Sequence, residues 1–407
     1  MIGRQWVAGM VSVCVLGVGI GTVLAQPPAN GPDAIYTPPR GINQGQPQPL
    51  MGLLEQAGVG RPLEDANIRL FGHVEGSYTY NFDDPNLNLG RVFDLPDNKL
   101  LLNQLDLNIE RPVDLTSHRF DLGGRVELLY GSDARFIHSN GLLSYQDFFS
   151  GPEYQFDIPQ AYLDFGIPVG NGLRIRAGKF LFFKQIDPNA SVFYSHSFSF
   201  GAALPYTLTG ITAYYPFTRE LSLEGGITRG WDQSLSDNNG AISGVARVRD
   251  DVNDQLSLSL ALIFGPELDR NNDDYRTTFD FTVSYAATEQ LTLMVDAVFG
   301  TQARPGGAGN ANWYGASGYG VYRINDFLSA AARLEWYRDE EGFTTAITQN
   351  LYEATLGLTV TPFAHTSFGT NFKVRPEIRE DYSSRRFFDG LSKYSQTTVA
   401  LDAIVDF

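Results

Sequence analysis

Apolar and polar side chains alternate with a period of two along most of the chain from Ile68 onward. In the clearest run, every second residue is a large apolar one: Leu256, Leu258, Leu260, Leu262 and Phe264. The residues between them are mainly small or carry hydroxyl groups. Because successive side chains of a strand point to opposite faces, this pattern predicts strands with one apolar face and one mainly polar face.

Roughly sixteen such segments fit between Ile68 and Phe407, most of them near the length of about 9–11 residues that a tilted transmembrane strand needs. Their predicted centres are Val74, Leu105, Val126, Leu163, Ile175, Ile211, Leu223, Val245, Leu260, Phe281, Val295, Tyr319, Leu334, Leu356, Phe372 and Leu401. The connections between the segments differ in length. Residues 81–98, 131–156, 185–204 and 379–393 form long connections, whereas 168–172, 216–219, 287–290 and 324–326 are short.

Long loops on one side and short turns on the other are typical of bacterial outer-membrane barrels, whose short turns face the periplasm. We therefore predict an all-β fold over residues 68–407, a transmembrane, antiparallel, up-and-down β-barrel of about 16 strands. An even number of strands places both chain ends on the periplasmic side. An aromatic content of 13% agrees with strands that carry girdles of aromatic side chains.

The first 67 residues have a different composition. Arg4 precedes an apolar stretch from Val7 to Leu24, which predicts a signal peptide over residues 1–25 that is cleaved after Ala25. An uncleaved membrane anchor is the alternative. Residues 26–67 are rich in Pro, Gly and Gln, and we expect a periplasmic linker with at most one short helix near residues 50–56. A separate binding module is the alternative for this region.

Charge and candidate chemistry exclude several classes of function. A net charge of -16, without a basic stripe, argues against a nucleic-acid partner. The five histidines are scattered, and no nucleophile elbow is present, so we expect no enzyme, no metal and no cofactor. Ser195 and His196 are neighbours, which keeps an outer-membrane lipase as a weak alternative.

The last predicted strand ends in an aromatic residue. Every second residue from Val399 to Phe407 is apolar on one face. A terminal aromatic on an amphipathic strand resembles the signal by which outer-membrane proteins are delivered to the barrel-assembly machinery. Phe407 is therefore our candidate assembly signal, and the machinery and the outer-membrane lipids are the expected partners. The alternative is that a common residue happens to stand at the end.

Several short stretches resemble the OmpL-like family of β-barrel porins. They are 71–78, 160–165, 173–180, 193–197, 205–210 and 230–232, with Asn238 and Asn239 downstream. Together they indicate family membership over most of the predicted barrel. The resemblance implies an outer-membrane porin, a water-filled channel for passive diffusion of small hydrophilic solutes or ions. A closed structural or adhesive barrel, which binds a surface partner through its long loops, is the alternative.

Charged and aromatic residues of the polar face are the candidates for lining the pore. On the wall they are Arg119, Arg125, Asp164, Arg174 and Arg176, and in the 185–204 loop they are Asp187, Phe193 and Tyr194. In general porins the third long loop folds inward, which would set basic wall residues against a loop carboxylate. Two alternatives remain open: the wall charges pair across strands, or the aromatic loop packs at the outer rim. The sequence also leaves open a monomer or a homotrimer.

Overall fold

The computed structural model describes residues 49–143, 151–184, 186, 188–307, 309–366, 369 and 371–407. The predicted signal peptide, most of the linker and Asp187 lie outside the described residues. Within them, no helix combines the length and the apolar character needed to cross a membrane. The strands, by contrast, form one continuous antiparallel sheet.

The described part of the chain contains seventeen strands and five short α-helices. The strands are β1 (Arg69–Asn81), β2 (Lys99–Arg111), β3 (Asp121–Gly131), β4 (Gln155–Asp157), β5 (Ala161–Ile167), β6 (Leu173–Leu181), β7 (Thr207–Pro216), β8 (Leu221–Thr228), β9 (Ser243–Asp250), β10 (Leu256–Pro266), β11 (Tyr275–Ala286), β12 (Leu291–Gln302), β13 (Ala311–Asn325), β14 (Leu328–Asp339), β15 (Gln349–Val360), β16 (Phe372–Ser383) and β17 (Ser395–Asp406). The helices are α1 (Pro49–Gln56), α2 (Gly60–Asp65), α3 (Ala134–Ile137), α4 (Phe198–Ala202) and α5 (Phe388–Leu391).

The sheet closes on itself into a barrel. Each strand pairs with its neighbours in sequence, and β1 pairs with both β2 and β17. β4 and β5 pair one after the other with β3 and together occupy a single strand position. The seventeen strands therefore form a 16-strand barrel, which confirms the predicted fold class. Both ends of the barrel chain lie at the same rim, because His73 in β1 is opposite Asp406 in β17.

The two faces of the sheet differ as the alternation predicts. Along β1, the side chains of His73, Glu75, Ser77 and Thr79 are buried on the inner face, whereas Tyr78 and Tyr80 are exposed on the outer face. Exposed aromatic residues form two belts. One lies near the long loops (Tyr78, Tyr80, Tyr130, Phe264, Tyr275, Phe299, Trp336, Tyr352, Tyr382) and the other near the short turns (Phe217, Tyr285, Tyr322, Phe327, Phe363). Such belts mark the two membrane interfaces of an outer-membrane barrel.

Some predicted boundaries were wrong. All sixteen predicted centres lie in strands, but Phe372 is only the first residue of β16, which runs on to Ser383. Arg379 is therefore a strand residue, and the last long connection starts later than predicted. The alternation of long and short connections is also imperfect, because the periplasmic connection 361–371 is longer than the extracellular connections 267–274 and 303–310. A helix forms at Pro49–Gln56, where one was expected, and α2 was not predicted.

Candidate functional site

The connection between β6 and β7 crosses the interior of the barrel. Its residues 188–204, here called the lumen segment, contact β14 and β16. β14 lies eight strand positions from β6 in a ring of sixteen, so the segment reaches the opposite wall. A short 3-10 turn, Pro188–Ala190, begins the segment. Helix α4 follows, and its N-cap residue Ser197 accepts a hydrogen bond from Phe200 N, a common way to start a helix.

Three arginines of the opposite wall donate hydrogen bonds to main-chain carbonyl oxygens of the lumen segment. The bonds run from Arg375 Nη1 to Pro188 (2.8 Å) and Ser191 (2.9 Å), from Arg333 Nη1 to Ser195 (2.8 Å) and from Arg379 Nη1 to His196 (2.6 Å). A guanidinium group presents several donors in a fixed plane, so each arginine can hold a carbonyl and a carboxylate together. The carboxylates are Asp402 for Arg375, Glu353 for Arg333 and Asp381 for Arg379.

Two carboxylates of the same wall accept hydrogen bonds from the segment's main chain. Glu377 accepts from Ser195 N at 3.2 and 3.3 Å. Glu335 accepts from Phe198 N (2.7 Å), Ser199 N (2.8 Å) and Ser199 Oγ (2.7 Å). These bonds satisfy the amide groups at the start of α4, where a negative charge is favourable. Charged side chains of the wall therefore bind both the amide donors and the carbonyl acceptors of the segment's main chain.

Phe193 and Tyr194 lie at the centre of this attachment, and both are 2% exposed. The Phe193 ring lies 5.1 Å from the guanidinium carbon of Arg333. The Tyr194 hydroxyl group is 2.7 Å from Ser77 Oγ and accepts a hydrogen bond from Asn103 Nδ2 at 3.2 Å. Burial raises the pKa of Tyr194. The loop thus packs inside the barrel at these two residues.

A β-bulge in β2 supplies contacts that the sequence did not reveal. The register between β1 and β2 shifts after Glu75, and two consecutive residues, Asn103 and Gln104, are both buried. Asn103 Nδ2 and Gln104 Nε2 each donate to Asp133 at 3.0 Å, and Gln104 Nε2 also donates to Ile186 O at 3.1 Å. An extra residue in one strand re-aims a side chain, and here it turns two amides toward the loops.

Arg125, Arg174 and Arg176 lie on the inner face of the barrel, and their charges are paired within the wall. Arg176 forms two hydrogen bonds to Asp164 at 2.9 and 3.0 Å and lies over the Tyr162 ring. Arg174 contacts Glu224 at 3.2 Å. Arg125 donates to Asn108 Oδ1 at 2.8 Å, and its Nη2 lies 3.4 Å from Glu127 Oε2.

Two of the predicted candidates do not join this wall. Arg119 was expected on a strand beside Arg125, and this was wrong: it is exposed in the connection 112–120 at the periplasmic rim. Asp187 lies outside the described residues. Arg174 and Arg176 stand on β6, whereas Phe193 contacts Arg333 on β14 and Tyr194 contacts Ser77 on β1.

Lys184, at the start of the connection between β6 and β7, forms ion pairs with residues of β11 and β12. Its Nζ atom lies 2.8 Å from Asp280 Oδ1 on β11 and 2.7 Å from Asp296 Oδ2 on β12. Burial acts to lower the pKa of Lys184, but the two carboxylates outweigh it and raise that pKa. Beside this contact lies a cavity of about 140 Å³, bounded by the lumen segment and by the inner faces of β9 to β14.

An apolar cluster lies inside the barrel on the extracellular side of the segment. Five of its aromatic members are each 0–1% exposed: Phe182, Phe198, Trp313, Tyr337 and Phe388. They come from the lumen segment, from neighbouring strands and from the last connection. The Trp313 ring stacks on Phe343 with a centroid distance of 5.7 Å. Since apolar side chains exclude water, this cluster narrows the water-accessible part of the barrel.

Ser195 and His196 are not arranged as a catalytic pair. Ser195 Oγ accepts a hydrogen bond from Arg333 at 3.3 Å, and the His196 ring stacks on Phe200 with a centroid distance of 4.2 Å. Burial, with the positive charges of Arg333 and its neighbours, lowers the pKa of His196 to about 3. His196 is therefore neutral at ordinary pH and packs as an aromatic ring.

The sequence contained a signal for the anchors on β16 that the predicted boundaries missed. Alternate residues of this strand are charged: Lys373, Arg375, Glu377, Arg379 and Asp381. Charges at every second position, extending beyond the point where the loop was placed, are typical of one continuous polar face. Following that period would have placed Glu377, Arg379 and Asp381 in the lumen.

Comparisons with known proteins give a consistent picture. The chain matches the family described as beta-barrel porin-2, OmpL-like, over residues 67–407. Similar solved structures include the outer-membrane channel DcaP of Acinetobacter baumannii (14% identity, TM-score 0.56, 84% of this chain and 97% of that chain). They also include an anion-selective porin from Comamonas acidovorans (14%, 0.56, 84% and 99%) and the trimer form of OmpT from Vibrio cholerae (12%, 0.54, 84% and 99%). No curated protein matches the chain.

Proposed function

Because the chain belongs to the OmpL-like beta-barrel porin-2 family and is an outer-membrane channel for solute diffusion, we propose that its lumen segment sets the width of the pore. One observation carries the proposal: main-chain groups of the segment are bonded to charged residues on the wall opposite β6. A segment held in this way across the lumen leaves solutes only the space beside it.

The paired wall charges give the pore its hydrophilic lining. Arg125, Asp164, Arg174 and Arg176 keep polar groups on the inner face, where a channel of this strand number holds water. Their pairing makes the wall nearly neutral, which suits small hydrophilic solutes or ions. A passive pore needs no catalytic group, and we assign no reaction to this protein.

We also propose how the chain is exported and assembled. We assign residues 1–25 to a signal peptide and residues 26–67 to a periplasmic linker. Phe407 would then present the assembly signal. Its main chain pairs with Gly72, N to O at 2.9 Å and O to N at 3.0 Å, beside the seam where β1 meets β17. The OmpT structure is a trimer form, and we propose a homotrimer embedded in outer-membrane lipid here.

Electrical recording tests the pore directly. Purified mature protein in planar lipid bilayers should produce discrete conductance steps whose current is proportional to voltage, because water and ions fill the lumen. Detergent buffer without protein is the control. The rival function, an adhesive barrel closed to solutes, predicts no steps although folded protein is inserted, and that result would overturn the proposal.

A further inference from the structure

The cavity beside the lumen segment has a wall of hydroxyl groups. The register of β10 and β11 places Ser257 opposite Ser284 and Ser259 opposite Thr282, all on the inner face. Within the described structure, the hydroxyl groups of Ser259, Thr282 and Ser284 make no hydrogen bond to protein. Each hydroxyl group can donate one hydrogen bond and accept others. The wall therefore offers a row of donors to a solute.

Cationic groups flank this wall on both sides. Arg249 of β9 pairs in register with Ser259, and its guanidinium group binds Asp251 at 3.1 Å toward the periplasmic turn. Lys184, Arg247 and Arg333 also line the cavity. Among the described residues that line the cavity, Asp296 is the one carboxylate, and Lys184 contacts it.

The other carboxylates that pair with these cations are outside the lining. Glu224 binds Arg247, Glu353 binds Arg333 and Asp280 binds Lys184. Each of these pairs therefore presents its positive end to the cavity and its negative end to the wall. Such an arrangement of dipoles attracts an anion and repels a cation at short range.

Six residues of the lumen segment line the cavity, three of them apolar (Ala190, Val192, Phe200) and three polar (Ser191, His196, Ser197). Met294 of β12 adds a further apolar side chain to the lining. A cavity of about 140 Å³ has room for a molecule of about the size of benzene. A matching ligand is therefore small, with an anionic head for the hydroxyl row and the arginines and a short apolar body.

From this geometry we propose that the cavity is a binding site for short-chain monocarboxylates on their way through the pore. The inference rests on the proposed function, because a channel is what brings such a solute to the cavity. The carboxylate head accepts hydrogen bonds from Ser259, Thr282 and Arg249. The alkyl body lies against Val192 and Phe200.

Butyrate is the probe, with butyramide and butylammonium as neutral and cationic analogues of the same shape. In planar bilayers, added butyrate should lower the chloride current until the effect saturates. Butyramide and butylammonium should leave the chloride current unchanged. Saturation-transfer difference NMR in detergent should show contact of butyrate with the protein whether or not current is recorded. Equal binding of butyrate and butyramide would overturn the proposal.

Variants assign the effect to this cavity. The double variant S259A/T282A should bind butyrate on the order of a hundredfold more weakly, because it loses two hydrogen bonds to a charged group. R249Q should move the reversal potential in a salt gradient toward the value for an unselective pore. The controls are S117A, an exposed hydroxyl of the periplasmic connection 112–120, and R229Q, a cation of the extracellular connection 229–242. Changes of equal size in the controls would place the effect elsewhere.

The outcomes separate this site from the pore itself. Absence of conductance in folded protein contradicts the proposed function. Saturation-transfer difference NMR then still tests whether the cavity binds butyrate. Conductance without preference for butyrate contradicts the site alone.

Discussion

Buried arginines and carboxylates of this barrel each bind more than one partner. Arg375 contacts Asp402 and two carbonyl groups of the lumen segment, and Glu335 accepts three hydrogen bonds from two residues. Leaving such a group without its partners is costly, because a buried charge loses both water and its compensation. The same side chains therefore stabilise the wall and position the loop. Pairing within the wall, one of the two alternatives left open by the sequence, describes the contacts of Arg174 and Arg176.

Glu335→Gln should loosen the start of helix α4. The amide can accept fewer of the three hydrogen bonds and carries no charge, which would weaken the attachment by about 2–4 kcal/mol. Limited digestion with chymotrypsin, which cuts after Phe and Tyr, should then cleave the lumen segment faster than in the unsubstituted protein. Glu289→Gln, in an exposed periplasmic turn, is the matched control. If both variants are digested at the unsubstituted rate, Glu335 does not hold the segment.

Among the elements, strands were predictable and the details of their pairing were not. Alternation of apolar and polar residues is a local property, so it located every strand position of the barrel from one sequence. The bulge at Asn103 depends on one extra residue, and a period of two cannot distinguish it from a shifted boundary. The end of β16 was missed because its charged residues resemble a loop when burial is unknown.

Gly72 lies in β1 beside the seam with β17, and we predict that a side chain at this position impairs closure of the barrel. A Cβ atom there would overlap the carbonyl oxygen of Asp106 and approach the Phe407 ring to 2.9 Å. Gly72→Ala should therefore impair closure, at a cost of about 1–3 kcal/mol or more. The fraction of barrel that resists SDS before boiling measures this. Gly318→Ala, where a Cβ atom meets nothing within 4 Å, should fold normally. Equal folding of the two variants would show that the seam tolerates a side chain.

For the whole molecule, the sequence predicted the barrel better than its interior. Loop placement depends on contacts between residues far apart in the chain, such as Arg379 with His196 and Tyr194 with Ser77. No periodic pattern encodes these contacts. Phe193 and Tyr194 could be proposed as an inward loop only by analogy with general porins. The placement of Arg119 in a strand was wrong because alternation alone cannot distinguish a residue just outside a strand from one just inside it.

The central claim is that the lumen segment borders the path of the solute, and chemical modification of Ser191 tests it most directly. Ser191 lines the cavity on the lumen segment, and Cys14 is the only cysteine of the chain. Because Cys14 lies in the proposed signal peptide, the mature protein would carry no other cysteine. Ser191→Cys would be modified in the bilayer with a charged methanethiosulfonate reagent, with Val169→Cys in the exposed turn 168–172 as control. We expect a stepwise fall in single-channel conductance for Ser191→Cys and none for Val169→Cys. Unchanged conductance of fully modified Ser191→Cys would contradict the claim.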